Sequence, residues 1–142
     1  MKHWDAAVVA AFAAHVLAWA VGLWLALGPV YRGVSVTAVA PGEAPGEATR
    51  FTATLIQVNG SWVILLLAAP VVLTALTLVS VLLTDAGQAR RRVFLWASAI
   101  LLSGFGVLGS FSIGLFYLPA ALALIVSAVL GSRGNAAETA RP

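Results

Sequence analysis

"VFLWASAILLSGFGVLGSFSIGLFYLPAALALIVSAVLG", from Val93 to Gly131, is a run of 39 residues without a charge. As a single helix it would be nearly 60 Å long, at about 1.5 Å per residue, against a bilayer core of about 30 Å. The glycines and serines of "GSFSIG" (Gly109–Gly114) suit a tight turn within it. We therefore predict two membrane-spanning helices, near 93–109 and 112–131. The run alone leaves open a single long tilted helix, or a pair of helices that does not cross the bilayer.

Two further apolar runs precede this one, at residues 6–28 and 61–84. Each is long enough for one span, since about 20 apolar residues cross a bilayer. The first exceeds the apolar core of a signal peptide, about 7–15 residues, so we expect it to remain as an uncleaved helix. The chain is 61% hydrophobic and 9% charged, whereas soluble domains are about 25% charged. The sequence predicts an all-α membrane protein, one domain over residues 1–142, with four transmembrane helices in a bundle.

Basic residues are distributed unevenly among the segments that connect these runs. Six lie before the first run, between the second and third, or after the fourth, and two lie between the first and second. The positive-inside rule places loops rich in Lys and Arg in the cytoplasm. We therefore expect a multi-pass protein of the cell membrane with both termini cytoplasmic, including the tail 132–142. Frequent Ala, and Arg in preference to Lys, indicate a bacterial gene and hence the inner membrane.

Three consecutive arginines, Arg90, Arg91 and Arg92, stand just before the third span. We interpret them as determinants of topology that contact anionic lipid headgroups. A site for a specific lipid or protein is the alternative.

The segment between the first two runs, "VSVTAVAPGEAPGEATRFTATLIQV" (Val34–Val58), is polar by comparison. Apolar residues alternate with polar ones on both sides of its centre, at Val34, Val36 and Ala38 and again at Phe51, Ala53 and Leu55. This alternation is typical of strands, and the two Pro-Gly pairs between them suit turns. We predict a β-hairpin over 33–58 on the extracytoplasmic side, because open strand edges would leave backbone groups unpaired in lipid.

A hairpin by itself is marginally stable in water, so its apolar face needs cover. The outer helix ends could supply that cover, or another membrane protein could. We interpret the hairpin as a recognition element, whose candidate partner surface consists of Phe51, Leu55, Glu43 and Glu47. Small residues at every fourth position of the first run also suit close helix packing, within the bundle or in a homo-oligomer.

Reactive groups are scarce inside the predicted spans. The chain has no cysteine, and its five acidic residues lie outside the apolar runs or at their edges. His15 is the ionisable residue inside a span, and intramembrane ionisable groups are functional candidates. The alternative is a neutral histidine hydrogen-bonded to Thr74, Thr77 or Ser103. No catalytic motif, cofactor site, metal-ligand spacing or nucleic-acid signature is present, so we expect no enzyme.

Hydroxyl groups recur along the second span, including those of Thr74 and Thr77. Hydroxyls in such a stripe can line a narrow polar path. More commonly they bond the carbonyls of their own helix or a neighbouring helix. Together with His15 they define the alternative function, a subunit of an oligomeric channel or carrier for a small solute.

Two segments, "LIQVNGSWVILLLAAPVVL" (Leu55–Leu73) and "SIGLFYLPAALALI" (Ser112–Ile125), resemble small four-helix bacterial integral membrane proteins with no known activity. The resemblance covers about a quarter of the chain, and it implies the fold and no chemistry. The size also resembles that of small multidrug-resistance transporters, but they depend on a carboxylate in the first helix, which this chain lacks. The primary expectation is therefore a non-enzymatic protein with a scaffold, accessory or sensing role.

Overall fold

The computed structural model describes residues 5–36, 48–84 and 89–139, with side chains in the last range described up to Ser132. Within these ranges the chain is mostly helical, and it contains one pair of strands. In chain order the elements are α1 (Ala6–Leu27), β1 (Tyr31–Val36), β2 (Ala48–Ala53), α2 (Leu55–Asn59), α3 (Val63–Leu83), α4 (Ala89–Leu108), a 3-10 helix (Gly114–Tyr117) and α5 (Leu118–Thr139).

Four helical stretches in the described ranges are long and apolar enough to cross a membrane. They are α1, α3, α4 and Gly114–Ser132, and we call them the long helices. The hairpin of β1 and β2 lies between α1 and α3 in the chain. The predicted fold class, four membrane helices with a β-hairpin between the first two, is confirmed.

The long uncharged run is broken at the turn that its glycines predicted. The N–H of Gly114 donates to the carbonyl oxygen of Gly109 at 2.8 Å. A Cβ atom on Gly114 would lie 2.6 Å from the carbonyl oxygen of Gly106, so the backbone approaches too closely for a side chain. Glycine is therefore required where α4 gives way to the 3-10 helix.

The helix boundaries differ from those predicted. Helix α4 begins at Ala89 rather than 93, because arginine is a good helix former and the triplet continues the helix backwards. Helix α5 begins at Leu118, after the 3-10 helix, and runs to Thr139, into the segment predicted as a tail. Helix α3 includes Pro70, and it begins two residues later than predicted.

The hairpin is shorter than the predicted 33–58. Its second strand ends at Ala53, and Thr54 then starts helix α2 with a reciprocal capping box. The Gln57 N–H donates to Thr54 Oγ1 at 3.2 Å, and the Thr54 N–H donates to Gln57 Oε1 at 2.8 Å. Leu55 is consequently buried at the start of a helix, with 5% exposure, so its expected place on a partner surface is wrong.

The strands pair antiparallel from Tyr31 opposite Ala53 to Val36 opposite Ala48. Because successive side chains in a strand point to opposite faces, this register defines two faces. One, the arginine–valine face, consists of Arg32, Val34, Val36, Ala48, Arg50 and Thr52. The other, the phenylalanine face, consists of Tyr31, Gly33, Ser35, Thr49, Phe51 and Ala53.

This register separates the two apolar rows that the sequence suggested would share one face. Val34 and Val36 lie on one face, and Phe51 and Ala53 lie on the other. The ring of Phe51 lies over Gly33 on the neighbouring strand, where an added Cβ would be 2.5 Å from its Cζ. Each face therefore mixes apolar and polar side chains. The segment 37–47, with Ala38, Glu43 and Glu47, is outside the described residues.

The chain divides into two compact units. One is drawn from Met1–Gly22 and Ala68–Pro142, and the other is Leu23–Leu67. The first unit holds most of the long helices. The second holds the end of α1, the hairpin, α2 and the beginning of α3.

Side chains from all four long helices meet in the first unit, in a cluster of Val8, Val81, Leu95 and Ala128. Small residues bring α1 and α5 close together. Ser127 Oγ donates to the carbonyl oxygen of Ala7 at 2.7 Å, and both residues are buried. The first and last long helices are therefore in direct contact.

Candidate functional site

His15 on α1 lies between two hydrogen-bonding partners. Its Nδ1 is 3.0 Å from Thr74 Oγ1 on α3, and its Nε2 is 3.2 Å from Trp19 Nε1. An indole N–H can only donate, so Nε2 is the acceptor. This pattern assigns a neutral imidazole that carries its proton on Nδ1, and this N–H donates a hydrogen bond to Thr74 Oγ1.

The Thr74 hydroxyl continues this chain to the backbone of α3. Its Oγ1 is 2.9 Å from the carbonyl oxygens of both Pro70 and Val71, and its single proton can be donated to one of them at a time. Thr74 is buried, and Trp19 at the other end is exposed. The network thus uses both ring nitrogens of His15 and links α1 to α3.

Thr77 is also buried, and its hydroxyl donates to the carbonyl oxygen of Leu73 at 2.8 Å. The hydroxyls of Thr74 and Thr77 therefore both bond the backbone of their own helix. This is the commoner use of Thr in membrane helices, and it commits the protons of these hydroxyls to contacts within the chain.

A second polar contact joins the beginnings of α1 and α4. Arg91 Nη2 donates to Asp5 Oδ2 at 2.7 Å, and Asp5 Oδ1 accepts the N–H of Val8 at 2.8 Å. The same carboxylate thus caps α1 and pairs with α4. Burial raises the pKa of Asp5, but the hydrogen bond and charge of Arg91 and the N–H of Val8 outweigh it, so its pKa lies below the ordinary value.

Arg91 differs from the two arginines beside it. Its side chain is only 3% exposed, whereas Arg90 and Arg92 are exposed, and the Arg90 guanidinium lies 5.7 Å from the centre of the Phe94 ring. Arg91 shares the inward stripe of α4 with Leu95, because residues four apart lie on one side of a helix. The expected contact with headgroups is therefore wrong for Arg91.

The Nε atom of Arg91 is buried and has no hydrogen-bond partner in the described part of the chain. Because the guanidinium is buried and one of its nitrogens lacks a partner, the ion pair with Asp5 is important for the stability of the fold. The sequence carried no local signal that singles out Arg91, since each of the three arginines stands four residues before an apolar side chain. The partner could not be read locally, because Asp5 is 86 residues away.

The hairpin carries the candidate surface residues. Phe51 is 49% exposed although its ring covers Gly33. Tyr31, at the base of β1, accepts a hydrogen bond from Asn59 Nδ2 at 3.2 Å, which connects the hairpin to α2. Arg32 and Arg50 are both exposed.

Across residues 5–36, 48–84 and 89–132, whose side chains the structure describes, no three histidine or acidic side chains come together as a metal site would require. Comparison with models of protein families, with curated proteins and with solved structures gives no match to this chain. The class of the molecule therefore rests on its own fold. The part of the chain that the structure describes contains four helices long and apolar enough to cross a membrane, which indicates a multi-pass membrane protein.

Proposed function

We propose that this chain is a non-enzymatic scaffold, accessory or sensing protein of the cell membrane, and that its hairpin is the recognition element. One observation carries the proposal. The polar groups of the long helices, such as His15, Thr74 and Arg91, bond other groups of the chain, whereas both faces of the hairpin are largely exposed. An ordered and exposed segment of this kind is suited to contact something outside the chain.

We place both termini in the cytoplasm and the hairpin outside, in the inner membrane of a bacterium. The six-to-two distribution of basic residues supports this orientation. The pairing of Asp5 with Arg91 fits four crossings that alternate in direction, since the beginnings of α1 and α4 then lie on one side of the membrane, whichever side that is.

Single cysteines test the orientation cleanly, because the chain has none of its own. Ser35→Cys and Ser112→Cys should react with a membrane-impermeant reagent added to intact cells, and Gln88→Cys should react only after the cells are opened. Labelling of position 88 from outside would reverse the orientation. Protection of position 112 would show that the 93–131 run does not make two crossings.

Photo-crosslinking in native membranes tests recognition. A photoreactive amino acid at Phe51 should give a discrete protein adduct, because this side chain lies on an exposed face. The same group at Leu108, an exposed position on α4, is the matched control and should give lipid adducts. The absence of any protein adduct or chain–chain adduct at position 51 would remove the basis for a recognition role.

A further inference from the structure

We propose that the arginine–valine face of the hairpin docks on the phosphate groups of anionic lipid headgroups. The phenylalanine face would then point into solution, where a protein partner can reach it. The inference rests on the proposed membrane placement and does not depend on which partner the phenylalanine face contacts.

The first argument is the arrangement of positive charge. Arg32 is opposite Thr52, and Val34 is opposite Arg50, so the two arginines are diagonal neighbours on one face. Such diagonal positions are about 7–8 Å apart. Within the described residues neither arginine has an ion-pair partner. Two exposed like charges on diagonal positions of one face repel each other, and an anion beside both would relieve the repulsion.

The second argument is the chemistry of the ligand that fits. A guanidinium presents a planar fork of N–H donors that matches the oxygens of a phosphate. Val34 and Val36 lie on the same face, and they are 60% and 58% exposed. Cationic side chains beside aliphatic ones favour the boundary between headgroups and acyl chains, where the charges meet phosphate and the apolar groups leave water.

The third argument is distance, and it favours lipid over an acidic protein. Only residues 28–30 separate the end of α1 from β1. At about 3.5 Å per extended residue, Arg32 can lie no more than about 17 Å from Leu27. The same compact unit holds exposed Trp24 and Trp62, and tryptophan is enriched at headgroup depth. The lipid surface is therefore the nearest source of phosphate.

The test uses the full chain in nanodiscs of phosphatidylcholine, with and without phosphatidylglycerol. A spin label is attached to Val34→Cys on the arginine–valine face or to Ser35→Cys on the opposite face. In discs with phosphatidylglycerol the label at 34 should collide preferentially with a lipid-soluble relaxant, and the label at 35 with a water-soluble one. Equal accessibility at the two positions would overturn the proposal.

Removing the charges should release the face. With Arg32→Gln and Arg50→Gln together, the ratio of docked to released hairpin should fall about 30-fold, since each arginine near an anionic surface raises this ratio about fivefold. Arg90→Gln, an exposed arginine on α4, is the matched control and should leave both labels unchanged. An unchanged label at 34 in the double variant would contradict the assigned role of the arginines.

Three further outcomes would each overturn lipid docking by identifying another occupant. If inorganic phosphate in phosphatidylcholine discs protects position 34 equally well, the face binds a free ion. If Glu43→Gln with Glu47→Gln releases the face as the arginine variants do, the occupant is the chain's own acidic segment. Protection of position 34 in native membranes but in neither disc would indicate a protein. In all three cases a protein adduct at position 51 would leave the proposed function standing.

Discussion

The contact between Asp5 and Arg91 should be asymmetric in energy, because its two partners are buried to different extents. Arg91 is 3% exposed and Asp5 is 43% exposed, and their charged atoms are 2.7 Å apart. In Asp5→Asn the amide oxygen can still cap α1, but the buried guanidinium loses its counter-charge. In Arg91→Met the carboxylate that remains is still hydrated, and the unpartnered Nε is removed.

Removing one partner of a fully buried pair costs about 3–5 kcal/mol, and exposed pairs contribute about 0–1 kcal/mol. Water reaches the Asp5 side of this pair, so we expect Asp5→Asn to lower the free energy of unfolding by about 2 kcal/mol. Arg91→Met should cost less than about 1 kcal/mol, because an apolar side chain suits a buried position. Asp5→Asn combined with Arg91→Met should be more stable than Asp5→Asn alone.

Equilibrium unfolding of the purified chain in mixed detergent micelles, followed by tryptophan fluorescence, measures these differences. The Arg90→Met variant controls for the loss of positive charge at this end of α4, and it should leave the free energy of unfolding nearly unchanged. If Arg91→Met destabilises the chain as much as Asp5→Asn, or more, the burial asymmetry does not determine the energy and the reasoning is refuted.

Acid adds a second readout of the same contact. The pKa of Asp5 is lowered in the folded chain from an ordinary value of 3.8. Its contribution to stability is therefore complete above the ordinary value and is lost as the pH falls through the lowered pKa. The acid-induced loss of stability should be smaller in Asp5→Asn than in the unaltered chain. An identical acid profile would show that the carboxylate is not linked to folding.

Three other substitutions test contacts elsewhere. Gly114→Ala should lower the free energy of unfolding by about 1–3 kcal/mol in the same assay, because its Cβ would lie 2.6 Å from the carbonyl oxygen of Gly106; a neutral effect would mean that the turn adapts. Thr54→Ala should lower the free energy of unfolding by about 1 kcal/mol and speed hydrogen exchange in α2, whereas Thr54→Ser should keep the cap. Equal exchange rates in the two variants would argue against the capping box. His15→Leu should lower the free energy of unfolding by only about 0.6 kcal/mol, since the Thr74 hydroxyl keeps its hydrogen bond to the backbone. A decrease several times larger would show that the imidazole contributes more to stability than one such hydrogen bond.

The helical architecture could be predicted because it depends on local properties. The length of an uncharged run limits the number of spans, and the glycines at 109 and 114 identify where the 93–131 run must turn. The strand alternation between α1 and α3 was similarly visible. The start of α2 was missed even though Thr54 and Gln57 have the spacing of a capping box, because Leu55 also continues the strand alternation.

The faces of the hairpin could not be predicted, since they depend on register. A shift of one residue moves every side chain of a strand to the other face. The alternation of Val34 with Val36 and of Phe51 with Ala53 is compatible with either arrangement. Arg91 could not be distinguished from Arg90 and Arg92 by composition, because its inward orientation is stabilised by a residue remote in sequence.

The hydrogen bond from Ser127 to Ala7 also has a consequence for biosynthesis. It joins residues 120 positions apart, so α1 leaves the ribosome long before its partner helix exists. At about 5–20 residues per second, the interval is about 6 to 24 s. During this time the alanine-lined side of α1 must be sheltered by lipid, by the insertion machinery or by other helices of the nascent chain. The correct docking of α1 is thus among the last events in assembly, and ribosome stalling before Ser127 should leave a chain whose first helix is inserted but not yet locked in place.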